Sequence, residues 1–281
     1  MPSRISDWTK RHPLVAYFAL AYTITWTVGL WIAASQRGWI GVQVPASAHF
    51  LASYGPMLSA LIVTGMTAGA AGIRELVGRM TRWRVGIRWI LVALGSPVFL
   101  YLIAALIMRV WGGAWPDFRR FGAAEELPAL AGLAGWAFHT LTFGIGEETG
   151  WRGFALPRLQ KGRSARSATL ILWVFWAIWH LAMFTYKENM MAMGIFEVIG
   201  WLVGMLSGAI VLTWLYNSTQ GSILMVALWH GTYNATVAAT EPLIPAIVSA
   251  FVIFGAVVIA RVAGPEDLSR SGKHTICRAL R

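Results

Sequence analysis

The chain has 281 residues, 57% of them hydrophobic and only 12% charged, with a mean hydropathy of +0.59. That balance excludes an ordinary soluble domain and describes a polytopic membrane protein. The net charge of +11 does not point to nucleic acid. Its positive residues fall in short segments between apolar runs, and no aromatic-interleaved basic patch accompanies them.

Arg4, Lys10 and Arg11 precede an apolar run from Pro13 to Ser35. The run is too long for a signal-peptide core of about 7 to 15 residues, so it reads as a retained first span. A membrane helix needs about 20 mostly apolar residues. Eight stretches meet that length, at roughly 13–35, 47–70, 88–110, 127–150, 167–186, 193–216, 220–240 and 242–262. Pro242 and Pro245 punctuate the last two, since proline ends or kinks a helix.

Lys and Arg are expected in excess on the cytoplasmic side. They crowd into the N-terminal segment, the 71–88 loop (Arg74, Arg79, Arg82, Arg84, Arg88), the loop holding Arg158, Lys161, Arg163 and Arg166, and the C-terminal tail with Arg261, Arg270, Lys273, Arg278 and Arg281. Eight spans put all of these on one side. The opposite connections are poorer: Arg37 alone, Arg119 and Arg120 offset by Asp117, Glu125 and Glu126, Lys187 with Glu188, and Glu241. The expectation is therefore an all-α, single membrane-embedded domain over 1–281 with about eight transmembrane helices and both termini cytoplasmic. The single cysteine, Cys277, allows no internal disulfide and no cysteine zinc site. It also misses a terminal prenylation box by one residue. The triplets starting at Asn217 and Asn234 match glycosylation acceptors but fall in a turn and inside a helix, and are set aside.

An ionisable side chain within a bilayer costs about 2.5 to 3.5 kcal/mol on insertion scales, so each one needs a partner or a purpose. Three motifs hold most of them: GEETGWRGF from Gly146, at the end of the fourth span; WAIWHLAMF around His180 in the fifth; and LWHGTYNAT around His230 in the seventh. Glu148 and Arg152 stand at i and i+4 and can pair. Glu147 projects about 100° away and is left unneutralised, which suits general acid–base work. His230 and Asn234 share one helix face, and Gly231 permits close approach of a neighbour.

Counted from the cytoplasmic ends, Glu147, His180 and His230 can meet in a cavity open to that side. A carboxylate and an imidazole can activate one water there, while a second imidazole and an amide can stabilise a tetrahedral oxyanion, which is peptide-bond hydrolysis. His139 reads as structural, and His49 and Glu197 have no motif support.

These residues resemble the CPBP family of intramembrane proteases, which comprises CAAX proteases and bacteriocin-processing enzymes and is also called the type II CAAX prenyl endopeptidase or Abi family. Glu147-Glu148-Thr149-Gly150-Trp151-Arg152 fits EExxxR, and His230-Gly231-Thr232-Tyr233-Asn234 fits HxxxN, with His180 between them in order. The likeness covers a catalytic core of about 127–240. The family's middle motif is commonly FxxxH, whereas Trp176 stands four residues before His180 and Phe175 is one place off.

The resemblance implies that Glu147 and His180 activate the water, that Glu148 and Arg152 orient the site, and that His230 and Asn234 form the oxyanion hole without any cofactor. The alternative within the same family makes Glu147, His180 and His230 zinc ligands. Outside the protease reading stand a non-catalytic immunity or scaffold protein and a transporter, since buried carboxylates and histidines also relay protons. The expected partners are the lipid bilayer and a peptide or protein substrate, lipidated or leader-bearing, in the cytoplasmic membrane of a prokaryote.

Overall fold

A computed structural model of the chain describes residues 4–124, 126–238 and 241–276. Glu125, Cys277, Arg278 and Arg281 lie outside these. The described residues fold as helices: α1 (Arg4–Arg11), α2 (Pro13–Gln36), α3 (Gly55–Met80), α4 (Ile87–Gly112), a composite helix α5 over 132–159, α6 (Ala165–Trp179), α7 (Ile195–Ser218), α8 (Ile223–Val237) and α9 (Leu243–Val262). Six helical segments among them are long and apolar enough to cross a membrane: Pro13–Gln36, Ala46–Met80, Ile87–Gly112, Ala165–Thr185, Ile195–Ser218 and Leu243–Val262. The chain is an all-α, multi-pass membrane protein.

The two remaining apolar stretches form α5 and α8. Helix α8 has 15 residues, about 22 Å of helix against a hydrocarbon core of about 30 Å. Helix α5 carries the charges of GEETGWRGF. Both are packed inside, with α8 against α4, α5, α7 and α9, and every residue from 146 to 157 buried. Their polarity is tolerated because other helices enclose them.

Two boundaries differ from the sequence expectation. The second span continues past residue 70 to Met80, kinking at Gly69, whose φ of 60° and ψ of −157° suit a residue without a Cβ. Arg79 is thereby helical and buried, with Nη1 donating to the Tyr216 hydroxyl at 2.7 Å and Nη2 to Glu75 at 3.0 Å. The fourth helix likewise does not end at GEETGWRGF. It runs on to Leu159, because Trp151, Phe154 and Leu156 are core residues, two of which pack on Tyr17, at centroid distances of 5.7 Å for Trp151 and 4.9 Å for Phe154. Glu147 is therefore mid-helix, about 18 Å from its C-terminal end at 1.5 Å per residue.

The basic connections gather on one face. Arg82 donates to the Gln220 carbonyl, Ser222 donates to the Arg82 carbonyl at 2.6 Å, and the Ala165 amide donates to Glu266 at 2.7 Å. The tail over 264–276 straps this face. Asn217 donates to the Asp267 carbonyl at 2.7 Å, and Gln160 donates to the His274 carbonyl at 2.7 Å. On the opposite face Lys187 pairs with Glu126 at 2.8 Å, which brings those two connections together.

The His274 ring lies edge-on to Tyr216 and against Gly221. Burial, reinforced by the charges of Arg79 and Arg82, pushes its pKa down from 6.5 to about 4. A histidine held neutral by the fold takes up its proton more readily in the loosened state, so the strap is fully attached above about pH 6.5 and weakens as pH falls toward about 4. We expect the protection factors for hydrogen exchange over 264–276, taken relative to the intrinsic rate at each pH, to drop between about pH 7 and about pH 5, and the drop to disappear in His274→Phe.

Candidate active site

The site grows from α5. Its first turns are α-helical (Gly132–His139), then the backbone widens to π-helix over Thr140–Glu147, narrows over Glu148–Gly150 and widens again over Trp151–Ala155. Such widened turns are rare and concentrate at functional sites because they re-aim side chains. Glycines let the partner helix come in close. A Cβ on Gly144 would lie 2.4 Å from the Ala227 carbonyl oxygen, and one on Gly231 would lie 2.4 Å from the Thr140 Cα. Backbone thus meets backbone between α5 and α8, and His230 comes within reach of the glutamate pair.

Glu148 and Arg152 are both 0% exposed. Arg152 Nη1 donates to Glu148 Oε1 at 2.9 Å, and the same oxygen receives His230 Nδ1 at 2.8 Å. The i, i+4 pair expected from the sequence is present, and it captures the histidine of α8 as well. As a carboxylate Glu148 only accepts, which places the proton of His230 on Nδ1.

Glu147 takes no part in this cluster. It is 3% exposed, and its Oε2 accepts from the Trp176 indole N–H at 2.9 Å. His180 follows one turn after Trp176, where α6 tightens into a 3-10 turn over His180–Thr185. Its Nδ1 lies 2.7 Å from the Trp176 carbonyl oxygen. A carbonyl can only accept, so Nδ1 carries the proton and the neutral ring keeps a lone pair on Nε2. The Trp176 ring stands edge-on to both imidazoles, at 5.7 Å from His180 and 5.9 Å from His230.

A cavity of about 850 Å³ is lined by Trp176, His180, His230 and Asn234 together with apolar residues that include Met183, Met193, Trp201 and Tyr233. Glu147, Glu148 and Arg152 sit behind this lining. The cavity also touches Lys187, Asn189, Pro242 and Pro245, so it reaches the face opposite the basic connections, where the sequence reading opens it toward the basic side. The mid-helix position of Glu147 accounts for the difference.

Among the described residues, no group of three or more His, Cys, Asp or Glu side chains is placed to hold a metal ion.

The other ionisable residues at depth have contacts of their own, and two of them, His49 and Glu197, also line the cavity. His139 stacks on Phe143 at 5.7 Å, and Glu197 accepts from the Gly194 amide at 2.6 Å, capping α7. His49 is buried 3.9 Å from Glu126. What sequence reasoning missed is the hydrogen bond of Trp176, a residue that figures there only as the one standing in place of the family's phenylalanine. Its N–H was the available signal, since a buried indole usually finds an acceptor.

Residues 129–236 match the family model described as type II CAAX prenyl endopeptidase Rce1-like. The chain is also similar to CAAX prenyl protease 2 of Methanococcus maripaludis, at 25% identity over 129 residues, covering 41% of this chain and 45% of that protein. The match thus spans less than half the length of that relative. The segment matched by the family model holds the helices that carry the site.

The close approach of α5 and α8 is testable by crowding it. Gly231→Ala is expected to lower stability by about 1–3 kcal/mol, the usual penalty of overpacking, read as a lower melting temperature in detergent. Gly200→Ala, where a Cβ meets nothing within 4 Å, is the control and should leave it unchanged.

Proposed function

We infer that this chain, whose residues 129–236 match the Rce1-like family model, belongs to the CPBP family and is an intramembrane endopeptidase that hydrolyses a peptide bond of a membrane-associated peptide or protein. The observation that carries this reading is the contrast between two adjacent buried glutamates. Glu148 forms ion pairs with both Arg152 and His230, while Glu147 forms none within 4 Å among the described residues and accepts one hydrogen bond, from an indole N–H, with the charges of His230 and Arg152 acting on it only from further off. A carboxylate held at depth without an ion pair of its own is costly for a structural role and useful for proton transfer.

In the proposed reaction Glu147 and the His180 Nε2 draw a proton from water, and its oxygen bonds to the scissile carbonyl carbon. The carbonyl oxygen becomes an oxyanion stabilised by His230 and Asn234. Collapse breaks the C–N bond, and the proton taken from water passes to the leaving amine. His230 uses its Nδ1–H to donate a hydrogen bond to Glu148, so its Nε2 donates to the oxyanion only when the ring carries both protons. The Glu148 carboxylate stabilises that form, and Arg152 holds Glu148 in place.

The apolar, methionine-bearing cavity suits a lipidated or leader-bearing segment, and a prenylated CAAX peptide is the first substrate to try. The proposed setting is the cytoplasmic membrane of a prokaryote. We further propose that the mechanism needs no metal; the Nδ1 contacts of the histidines leave both Nε2 atoms free for either chemistry, and chelation separates the two.

Purified Glu147→Gln and His180→Ala proteins should be folded and inserted but show no cleavage of a fluorogenic farnesylated CAAX peptide that the wild type cuts. Normal turnover by Glu147→Gln would sink the assigned chemistry. Chelator treatment should leave wild-type activity intact, and inhibition reversed by zinc would establish the metal-dependent alternative.

A further inference from the structure

Trp176 touches each part of the site. Its N–H bonds Glu147 at 2.9 Å, its ring covers the Arg152 guanidinium at 4.6 Å, and its carbonyl fixes His180 at 2.7 Å. The Arg152 Nε and Nη2 atoms are buried without a hydrogen-bond partner, so this guanidinium has donors to spare for a second carboxylate. Glu148 Oε2, also buried without a partner, is one acceptor at hand, and Glu147, on which the Arg152 charge already acts, is the other. The indole face lies over the guanidinium, and the indole edge occupies Glu147.

We propose that Trp176 is a positioning residue that keeps the two glutamates in different chemical roles: it orients Glu147 by binding Oε2, leaving Oε1 for the reacting water, and it confines Arg152 to Glu148. The proposal rests on the reading of Glu147 as the base. The aromatic face alone would serve for packing and for the cation–π contact, and a phenylalanine supplies that. The N–H is the part a phenylalanine lacks, and a hydrogen bond to an ionised group is worth more than a neutral one. Without it Glu147 can rotate, and the spare donors of Arg152 become its natural partner.

The test removes the N–H and keeps the ring. Trp176→Phe, assayed on the fluorogenic farnesylated CAAX peptide, should lose about ten- to hundredfold in kcat, the range for a hydrogen bond to a charged group, with KM and melting temperature unchanged. A merely structural residue would instead move the melting temperature, or KM and kcat together. Because Trp176→Phe also leaves a void that could hinder folding, the second variant replaces Trp176 by its benzothienyl isostere, which exchanges only N–H for sulfur in a ring of the same shape. The same loss of kcat supports the proposal. Wild-type kcat in the isostere overturns it while leaving Glu147→Gln inactive and the protease reading in place. An active Glu147→Gln overturns both.

Discussion

The structure depends on one fully buried carboxylate. Glu148 has no exposed surface, and a single oxygen of it receives both Arg152 and His230. Two charges taken from solvent recover their desolvation cost only when the geometry is good, and removing one partner from such a cluster costs about 3–5 kcal/mol. The cluster joins α5 to α8 at depth, and the rest of the core is arranged to make that junction possible. The glycines at 144 and 231 bring the backbones together, the π-helical turns set the direction of the glutamates, and the surrounding helices exclude water and lipid.

Around that fixed point the two glutamates meet different partners. Arg152 sits on the Glu148 side of the Trp176 ring, and Glu147 is tied to the ring's edge. Adjacent residues on one helix thus acquire unlike environments without any long-range device, because successive side chains diverge by about 100°. The two imidazoles are treated alike, each with Nδ1 engaged, but one is held by a carbonyl and the other by a carboxylate. That difference in partner divides a lone-pair acceptor from a ring that a carboxylate supports when it is doubly protonated.

The faces of the bundle differ as well. The basic connections and the tail interlock through Asn217, Gln160 and the Arg82 to Ser222 contact, while the cavity reaches the other face near Asn189 and Pro242. The closed face is built from hydrogen-bonded turns and a strap, and the open one is bounded by the starts of α7 and α9. Access to the site is therefore separated from the most highly charged surface of the protein.

Much of this was legible in the residues. The apolar runs and the placement of Lys and Arg determined a polytopic helical protein, because hydrocarbon thickness dictates span length whatever the packing. The i, i+4 relation of Glu148 and Arg152 is set by helix geometry alone, and the order of EExxxR, His180 and HxxxN named the residues that converge. Tertiary structure decided where the helices end and what each side chain meets. GEETGWRGF continues as helix because Trp151 and Phe154 find an aromatic core that includes Tyr17, a contact about 130 residues distant in sequence that no local pattern encodes. Trp176 became more than an aromatic filler because packing aimed its N–H at Glu147. Periodicity fixes the face of a helix a residue occupies, but a hydrogen bond between two helices exists only once both have been placed.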